Sequence, residues 1–188
     1  MAHLRVISGS AKGRRLNVVP GDSTRPITDR VKESLFNIIR NDLPDCKFLD
    51  LFAGTGSVGI EALSRGAQLV RFLDTHPLAI KTIRHNLDLT GLEPDSQVIQ
   101  INAFVHLSRK PDTEFDYVYI APPQYKKLWS KALIEIDHNP GWLVEDGWII
   151  VQIDPKEYEQ VQLENFSEFD QRKYGNTLLV FYERVSAA

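Results

Sequence analysis

The chain has 188 residues, 43% hydrophobic and 25% charged, with a formal net charge of −3 and one cysteine. That composition suits one globular domain with a core and leaves no room for a second large one. No apolar run approaches the roughly 20 residues that span a bilayer, and the N-terminal MAHLRVISGS lacks the continuous apolar stretch of a secretory signal. The expectation is a reducing, intracellular compartment. Cys46 then reads as a buried structural thiol in preference to a nucleophile.

From the N-terminus, LRVISG and RRLNVVPG alternate about a turn-like SAKG, which predicts a small hairpin. TRPITDRVKESLFNIIRNDL then gives a helix from about Thr28, a suitable N-cap, with Val31, Leu35, Phe36 and Ile39 at helical spacing. The first 40 residues hold eight basic side chains (Arg5, Lys12, Arg14, Arg15, Arg25, Arg30, Lys32, Arg40) against three acids (Asp22, Asp29, Glu33). Their net of +5 sits against 14 basic and 22 acidic residues in the remainder, a net of −8. A basic arm on an acidic body meets phosphate on one side only, although an ordinary solvated cluster gives the same count.

From residue 46 the pattern becomes short apolar runs alternating with helical stretches. CKFLDLF, QLVRFLD, QVIQIN, FDYVYIA and GWIIVQI read as strands, with helices near 57–65, 77–90, 103–108 and 126–136. Such alternation means right-handed βαβ units and a mostly parallel sheet. EFDQRKYGNTLLVFYERV adds an antiparallel hairpin about Gly175-Asn176 on the sheet edge. The expected fold class is α/β, a mostly parallel seven-stranded doubly wound sheet with that C-terminal hairpin. Residues 1–45 form a basic extension of hairpin plus helix and 46–188 the main domain, one compact unit.

The segment FLDLFAGTGSVGIEAL carries the most information. A hydrophobic strand runs into Gly54-Thr55-Gly56-Ser57-Val58-Gly59 and then a helix, which is G-x-G-x-x-G in the context that gives the motif meaning. The glycines admit a tight turn and close approach of a ligand, and the helix start offers free N–H groups. Asp74 ends the next strand, 20 residues after Gly54, where a carboxylate accepts both ribose hydroxyls of an adenosine-containing cofactor. NAD and S-adenosylmethionine both fit. Asp50, four residues before Gly54, separates them: a buried carboxylate repels a pyrophosphate and attracts an ammonium or sulfonium. Its bland reading is a cap on local backbone.

In an open α/β sheet the ligand crevice lies beyond the carboxyl ends of the strands, at the switch point. FDYVYIAPPQY is the fourth strand, next to the first, so residues 121–125 fall beside the glycine loop. Two prolines cannot continue a ladder. They make a rigid bend whose carbonyls can accept from an exocyclic amino group, with a following aromatic to stack on a base. The plain alternative is a strand terminator with a surface tyrosine.

RVISGSAKGRRL, TRPITDRVKESLFNII, FLDLFAGTGSVGIEALSRGA, the Pro-Pro strand end and the closing YGNTLLVFY together resemble the bacterial RsmD family over almost the whole chain. That family consists of S-adenosylmethionine-dependent methyltransferases that modify a guanine N2 of small-subunit ribosomal RNA. The resemblance implies a class I Rossmann-like methyltransferase in a bacterial cytoplasm or plastid stroma, acting on RNA within an assembled or assembling small subunit, without metal or membrane. It implies that Asp50, Phe52, Gly54, Thr55, Gly56 and Asp74 hold the cofactor, with Asn102 and Ala103 by the adenine. Ala121, Pro122, Pro123, Gln124 and Tyr125 would form the catalytic bend. Arg5, Lys12, Arg14, Arg15, Arg25 and Arg30 would lie on the RNA side.

Two positions depart from the family pattern. Asn102 stands where the family has Asp, a mild change because an amide oxygen still accepts. Ala121 stands where the family has the Asp of Asp-Pro-Pro-Tyr or Asp-Pro-Pro-Phe, which removes an acceptor for the target amine and about a hundredfold in rate by analogy with losing one preorganised polar contact. Gln124 is the expected partial replacement and Tyr125 the displaced stacking residue. The rival reading is a ribosome-binding factor that keeps the fold and has lost turnover; the rival enzyme is an NAD-dependent oxidoreductase. His76, His85, His106 and His138 show no metal spacing. Asp116 reads as a cap at a strand start, Trp129, Trp142 and Trp148 as core or pocket-wall aromatics, and EYEQVQLENFSEFD as a solvated acidic face.

Overall fold

The structure, a computed structural model, describes residues 4–21, 27–39 and 42–185. Strands β1 (Lys47–Asp50), β2 (Leu69–Asp74), β3 (Ser96–Gln100), β4 (Phe115–Ile120), β5 (Leu143–Ile153), β6 (Phe166–Tyr174) and β7 (Thr177–Arg184) make one sheet in the order β3-β2-β1-β4-β5-β7-β6. The first five run parallel. β7 enters antiparallel between β5 and β6. The central strands read as near-continuous apolar runs because both faces of a parallel sheet are covered by helices. Phe48, Leu49, Val70, Phe72, Val118 and Ile120 are all fully buried.

Helices α1 (Asp29–Ile38), α2 (Ser57–Ser64) and α3 (Pro77–Thr90) cover one face, and α4 (Ala103–Leu107) and α5 (Leu128–His138) the other. Thr28 caps α1 as expected, its hydroxyl accepting from the Val31 N–H at 3.4 Å. β5 starts four residues earlier than its apolar run implied. Its register against β4 jumps from Phe115–Leu143 to Tyr117–Trp148, so the polar residues near Glu145 and Asp146 bulge out unpaired and carry no strand pattern. The C-terminal hairpin turns at Gly175-Asn176 between the paired Tyr174 and Thr177.

The N-terminal hairpin is smaller than predicted. One antiparallel bridge, Arg5 to Arg15, is flanked by Val6 N–H to Arg14 O at 2.9 Å and Leu16 N–H to Leu4 O at 2.8 Å. The ladder stops there because α2 takes the other backbone groups. Glu61 accepts from the N–H of Ile7 at 2.8 Å and of Ser8 at 2.9 Å. The Ser64 hydroxyl accepts from the Ala11 N–H at 2.9 Å and donates to Ser8 O at 2.6 Å. Val6, Ala11 and Leu16 join α1 and α2 in one apolar cluster with Phe48 and Phe72. The arm is therefore a layer of the domain's own core.

Lys32, counted above with the arm's cations, is fully buried. Its ammonium donates to Arg5 O at 2.6 Å and lies 3.5 Å from Glu61, which also meets Arg65 at 2.8 Å. Burial pulls its pKa down, with Glu61 opposing. Removing one partner of a buried pair leaves an uncompensated charge, at about 3–5 kcal/mol. Glu61→Ala is accordingly expected to lower the thermal midpoint by on the order of 10 °C, read by differential scanning calorimetry.

Candidate active site

The loop after β1 is built from backbone geometry. Gly54 (φ +54°) and Gly56 (φ +77°) both sit in the left-handed region, where a side chain is strained. Gly56 is the N-cap of α2 and offers no side-chain cap hydrogen bond. Gly59 serves packing: a Cβ there would lie 2.3 Å from the Phe72 ring, so α2 rests on β2 at backbone distance. The Thr55 carbonyl accepts from the Asn86 amide at 2.9 Å, and the Thr55 hydroxyl faces Ser57 N–H at 3.4 Å.

Two carboxylates stand at the ends of adjacent strands. Asp74 Oδ2 accepts from Gly54 N–H at 2.9 Å and Oδ1 from His76 N–H at 2.8 Å, which ties the end of β2 to the glycine loop. Asp50 is 1% exposed, and its Oδ1 has no hydrogen-bond partner among the described residues. Burial and then the charge of Asp74 push its pKa up to about 7, against the backbone N–H groups of Phe52 and Gly59. A buried carboxylate oxygen without a donor costs free energy until a donor or cation arrives. This pair of acids favours a cationic ligand group and opposes a pyrophosphate.

Phe52 and Phe104 meet edge to face at 6.4 Å, both half-buried, above the ends of β1 and α4. Asn102 is the N-cap of α4, its amide oxygen accepting from Phe104 N–H at 2.8 Å and Val105 N–H at 3.4 Å. That oxygen, expected to face an adenine amine, is already shared with the helix start. Ala103 is buried at the first turn.

β4 ends at Ile120, and residues 121–125 leave the sheet beside β1. Ala121 packs on the sheet face that carries α1 to α3, Pro122 is half-buried, and Pro123 and Gln124 are exposed. Tyr125 is 65% exposed with φ +62°, a strained value for a side chain of that size. Three contacts hold it and its neighbour from the segment after β5. Its N–H donates to Glu157, its hydroxyl to Asp154 at 3.0 Å, and Lys127 pairs with Glu159 at 2.9 Å. Glu157 and Glu159 belong to the stretch read as a solvated face. A 3₁₀ turn over Pro155–Glu157 instead brings Glu157 back to the bend, where its Oε2 is buried without a partner among the described residues, while Glu159 stays exposed as expected.

On the arm, Lys12, Arg14, Arg15 and Arg30 are exposed, and Arg5 pairs with Asp29 at 2.9 Å. Arg25 lies outside the described residues. Elsewhere Asp116 caps a strand start, accepting from Lys47 N–H at 2.7 Å. Trp129 and Trp142 are core residues, and Trp148 packs half-buried against Phe169. His106 lies against Trp142 with its pKa pushed down to about 4 by burial, and burial pushes Cys46 up to about 12, which leaves it an inert thiol. Among the described residues no helix is long and apolar enough to cross a membrane, and no group of three or more His, Cys, Asp or Glu side chains could hold a metal ion.

This strand order, with a glycine loop after β1 and an acid ending β2, is the Rossmann-like fold of class I methyltransferases. The family model described as "Conserved hypothetical protein 95" matches residues 4–183, and the chain belongs to that family, the RsmD family of the resemblance above. The Bacillus subtilis protein YlbH is 44% identical over 153 residues, covering 80% of this chain and 83% of its own. The Escherichia coli "Ribosomal RNA small subunit methyltransferase D" is 30% identical over 181 residues, 96% of this chain and 90% of its own. A solved structure of the Escherichia coli protein yhhF superposes with a TM-score of 0.85 at 30% identity, covering 97% and 98% of the two chains.

Asp50 gives the site a measurable signature. Between its ordinary carboxylate value of 3.8 and about 7, the folded chain keeps a proton that the unfolded chain has released, so ionisation weakens the fold as pH rises through that window. Asp50→Asn is expected to raise the melting temperature of the ligand-free protein at pH 8 by a margin that shrinks toward pH 5. Thermal unfolding of both proteins across pH 5–8 reads it.

Proposed function

We propose that this chain transfers a methyl group from S-adenosylmethionine to the exocyclic N2 amine of a guanine in small-subunit ribosomal RNA. The observation that carries the reading is the unpartnered Asp50 oxygen, buried between the glycine loop and the Pro-Pro bend at the switch point. The names of the curated relatives support the substrate class.

In this reading Asp50 takes the cofactor's ammonium, Asp74 its ribose, and Gly54, Thr55 and Gly56 its close approach. Phe52, Asn102 and Ala103 flank the adenine, where the free Asn102 NH₂ is still a donor. When bound, the cofactor supplies an electrophilic methyl on a sulfonium. The protein's part is placement. The Pro122 carbonyl accepts one amine hydrogen and so aims the nitrogen lone pair away from itself. Two prolines fix that carbonyl and bring no N–H to compete for it. Ala121 offers no acceptor. The negative charge near the bend comes instead from Asp154 and Glu157, which hold Tyr125 in place. Gln124, exposed beside it, is free to contact the base.

The target guanine leaves its stack to reach the bend, while Lys12, Arg14, Arg15 and Arg30 lie along phosphate. Four or five exposed cations make few phosphate contacts, which favours a folded subunit surface over naked RNA. Ribosomal RNA as substrate places the work in a bacterial cytoplasm or plastid stroma. A ribosome-binding factor without turnover is the second reading, and Ala121 is the observation that favours it.

Small ribosomal subunits purified from cells lacking this activity are the test substrate, with labelled S-adenosylmethionine as donor. Incorporation as N2-methylguanine is the expected result. Cofactor binding without incorporation would support the binding-factor reading, and a different methylated base would refute the N2 assignment.

A further inference from the structure

Asn86 lies in the middle of α3, is fully buried, and uses three of its four side-chain bonding positions on two separate segments. Its Oδ1 accepts from the Asn17 N–H at 2.8 Å, and its Nδ2 donates to Asn17 O at 3.0 Å and to Thr55 O at 2.9 Å. Asn17 lies in the basic arm, two residues after Arg15. Thr55 is the middle residue of the Gly54-Thr55-Gly56 turn. One planar amide thus holds the arm and the glycine loop, and neither can shift by more than a few tenths of an ångström without turning the fork away from the other.

A second connection runs in parallel. α2 begins at the glycine loop, and its Glu61 and Ser64 hold Ile7, Ser8 and Ala11 along the arm. The loop, the first turns of α2, Asn86 and residues 4–17 are therefore one hydrogen-bonded body. A ligand that orders one end of such a body lowers the ordering cost left for a ligand at the other. The effect is reciprocal in the two affinities.

We propose that Asn86 is a positioning residue that couples the basic arm to the glycine loop, so that the cofactor on the loop and RNA on the arm strengthen each other's binding. This rests on the function proposed above. Asn86 touches neither ligand. It acts through the Thr55 carbonyl on one side and the Asn17 backbone on the other.

The test uses the full chain, S-adenosylhomocysteine as cofactor probe and small ribosomal subunits as RNA probe. In the wild-type protein S-adenosylhomocysteine is expected to slow amide exchange at Val6, Gly13, Leu16 and Asn17, and to tighten subunit binding about fivefold or more. Subunits should tighten S-adenosylhomocysteine by the same factor. Asn86→Ala is expected to weaken S-adenosylhomocysteine by roughly tenfold and to bring the coupling factor to one. Asn86→Asp, which keeps the acceptor for Asn17 N–H and loses both donors, should behave likewise. A purely structural asparagine would lower the melting temperature in both variants and leave the coupling factor at its wild-type value, which would overturn the proposal. Should Asn86→Ala not fold, unchanged arm exchange in the wild-type protein on adding S-adenosylhomocysteine would overturn it alone. Absence of any S-adenosylhomocysteine binding to the wild-type protein would overturn the functional reading, and the coupling with it.

Discussion

β1 has β2 on one side and β4 on the other, both parallel to it, and the rest of the molecule follows from that adjacency. Right-handed crossovers leave a central strand in opposite directions at such a point, so the connections after β1 and β4 must part and open a crevice beyond their carboxyl ends. Everything assigned to chemistry here lies on that rim. The glycine turn leaves β1, Asp74 ends β2, Asn102 follows β3, and the Pro-Pro bend leaves β4. Helices on both faces keep the strands dry, so a polar side chain at the strand ends is either satisfied by protein or waits for a ligand.

Two acids of equal burial show the difference. Glu61 is fully buried and meets two backbone N–H groups, the Lys32 ammonium and the Arg65 guanidinium. Asp50 is equally buried, has Asp74 as a near charge, and keeps an oxygen with no partner among the described residues. The first carboxylate is complete and holds the arm to the domain. The second is incomplete, and in the proposed function it takes the cofactor's cation. The same logic separates Lys32 from Arg14 and Arg15: the lysine's charge is consumed inside, and the arginines' charges face outward.

Much of this was legible in the sequence, because buried parallel strands and the helices between them write strong local patterns. CKFLDLF and QLVRFLD announced the sheet centre, Thr28 announced its helix, and Gly54 with Asp74 announced the crevice. Patterns that depend on distant partners were not legible. Lys32 looks like any arm cation until Glu61, 29 positions later, is placed against it. Asn86 sits in an unremarkable helical run and gains meaning only from Asn17 and Thr55. Glu157 reads as solvated because nothing local shows the 3₁₀ turn that brings it to Tyr125. The N-terminal hairpin is shorter than its alternating runs for the same reason: its backbone finds side chains of α2.

Whether the crevice presents a carboxylate to a cationic cofactor group is read directly by calorimetric titration of S-adenosylhomocysteine and of NAD across pH 6–8. S-adenosylhomocysteine carries the ammonium proposed to pair with Asp50 once that carboxyl ionises, and burial with the neighbouring Asp74 pushes its pKa up to about 7. A carboxylate held for a cationic cofactor group predicts that S-adenosylhomocysteine affinity rises with pH through that value and that NAD gives no binding heat. NAD binding, or an S-adenosylhomocysteine affinity that is flat or falls as pH rises, would contradict it.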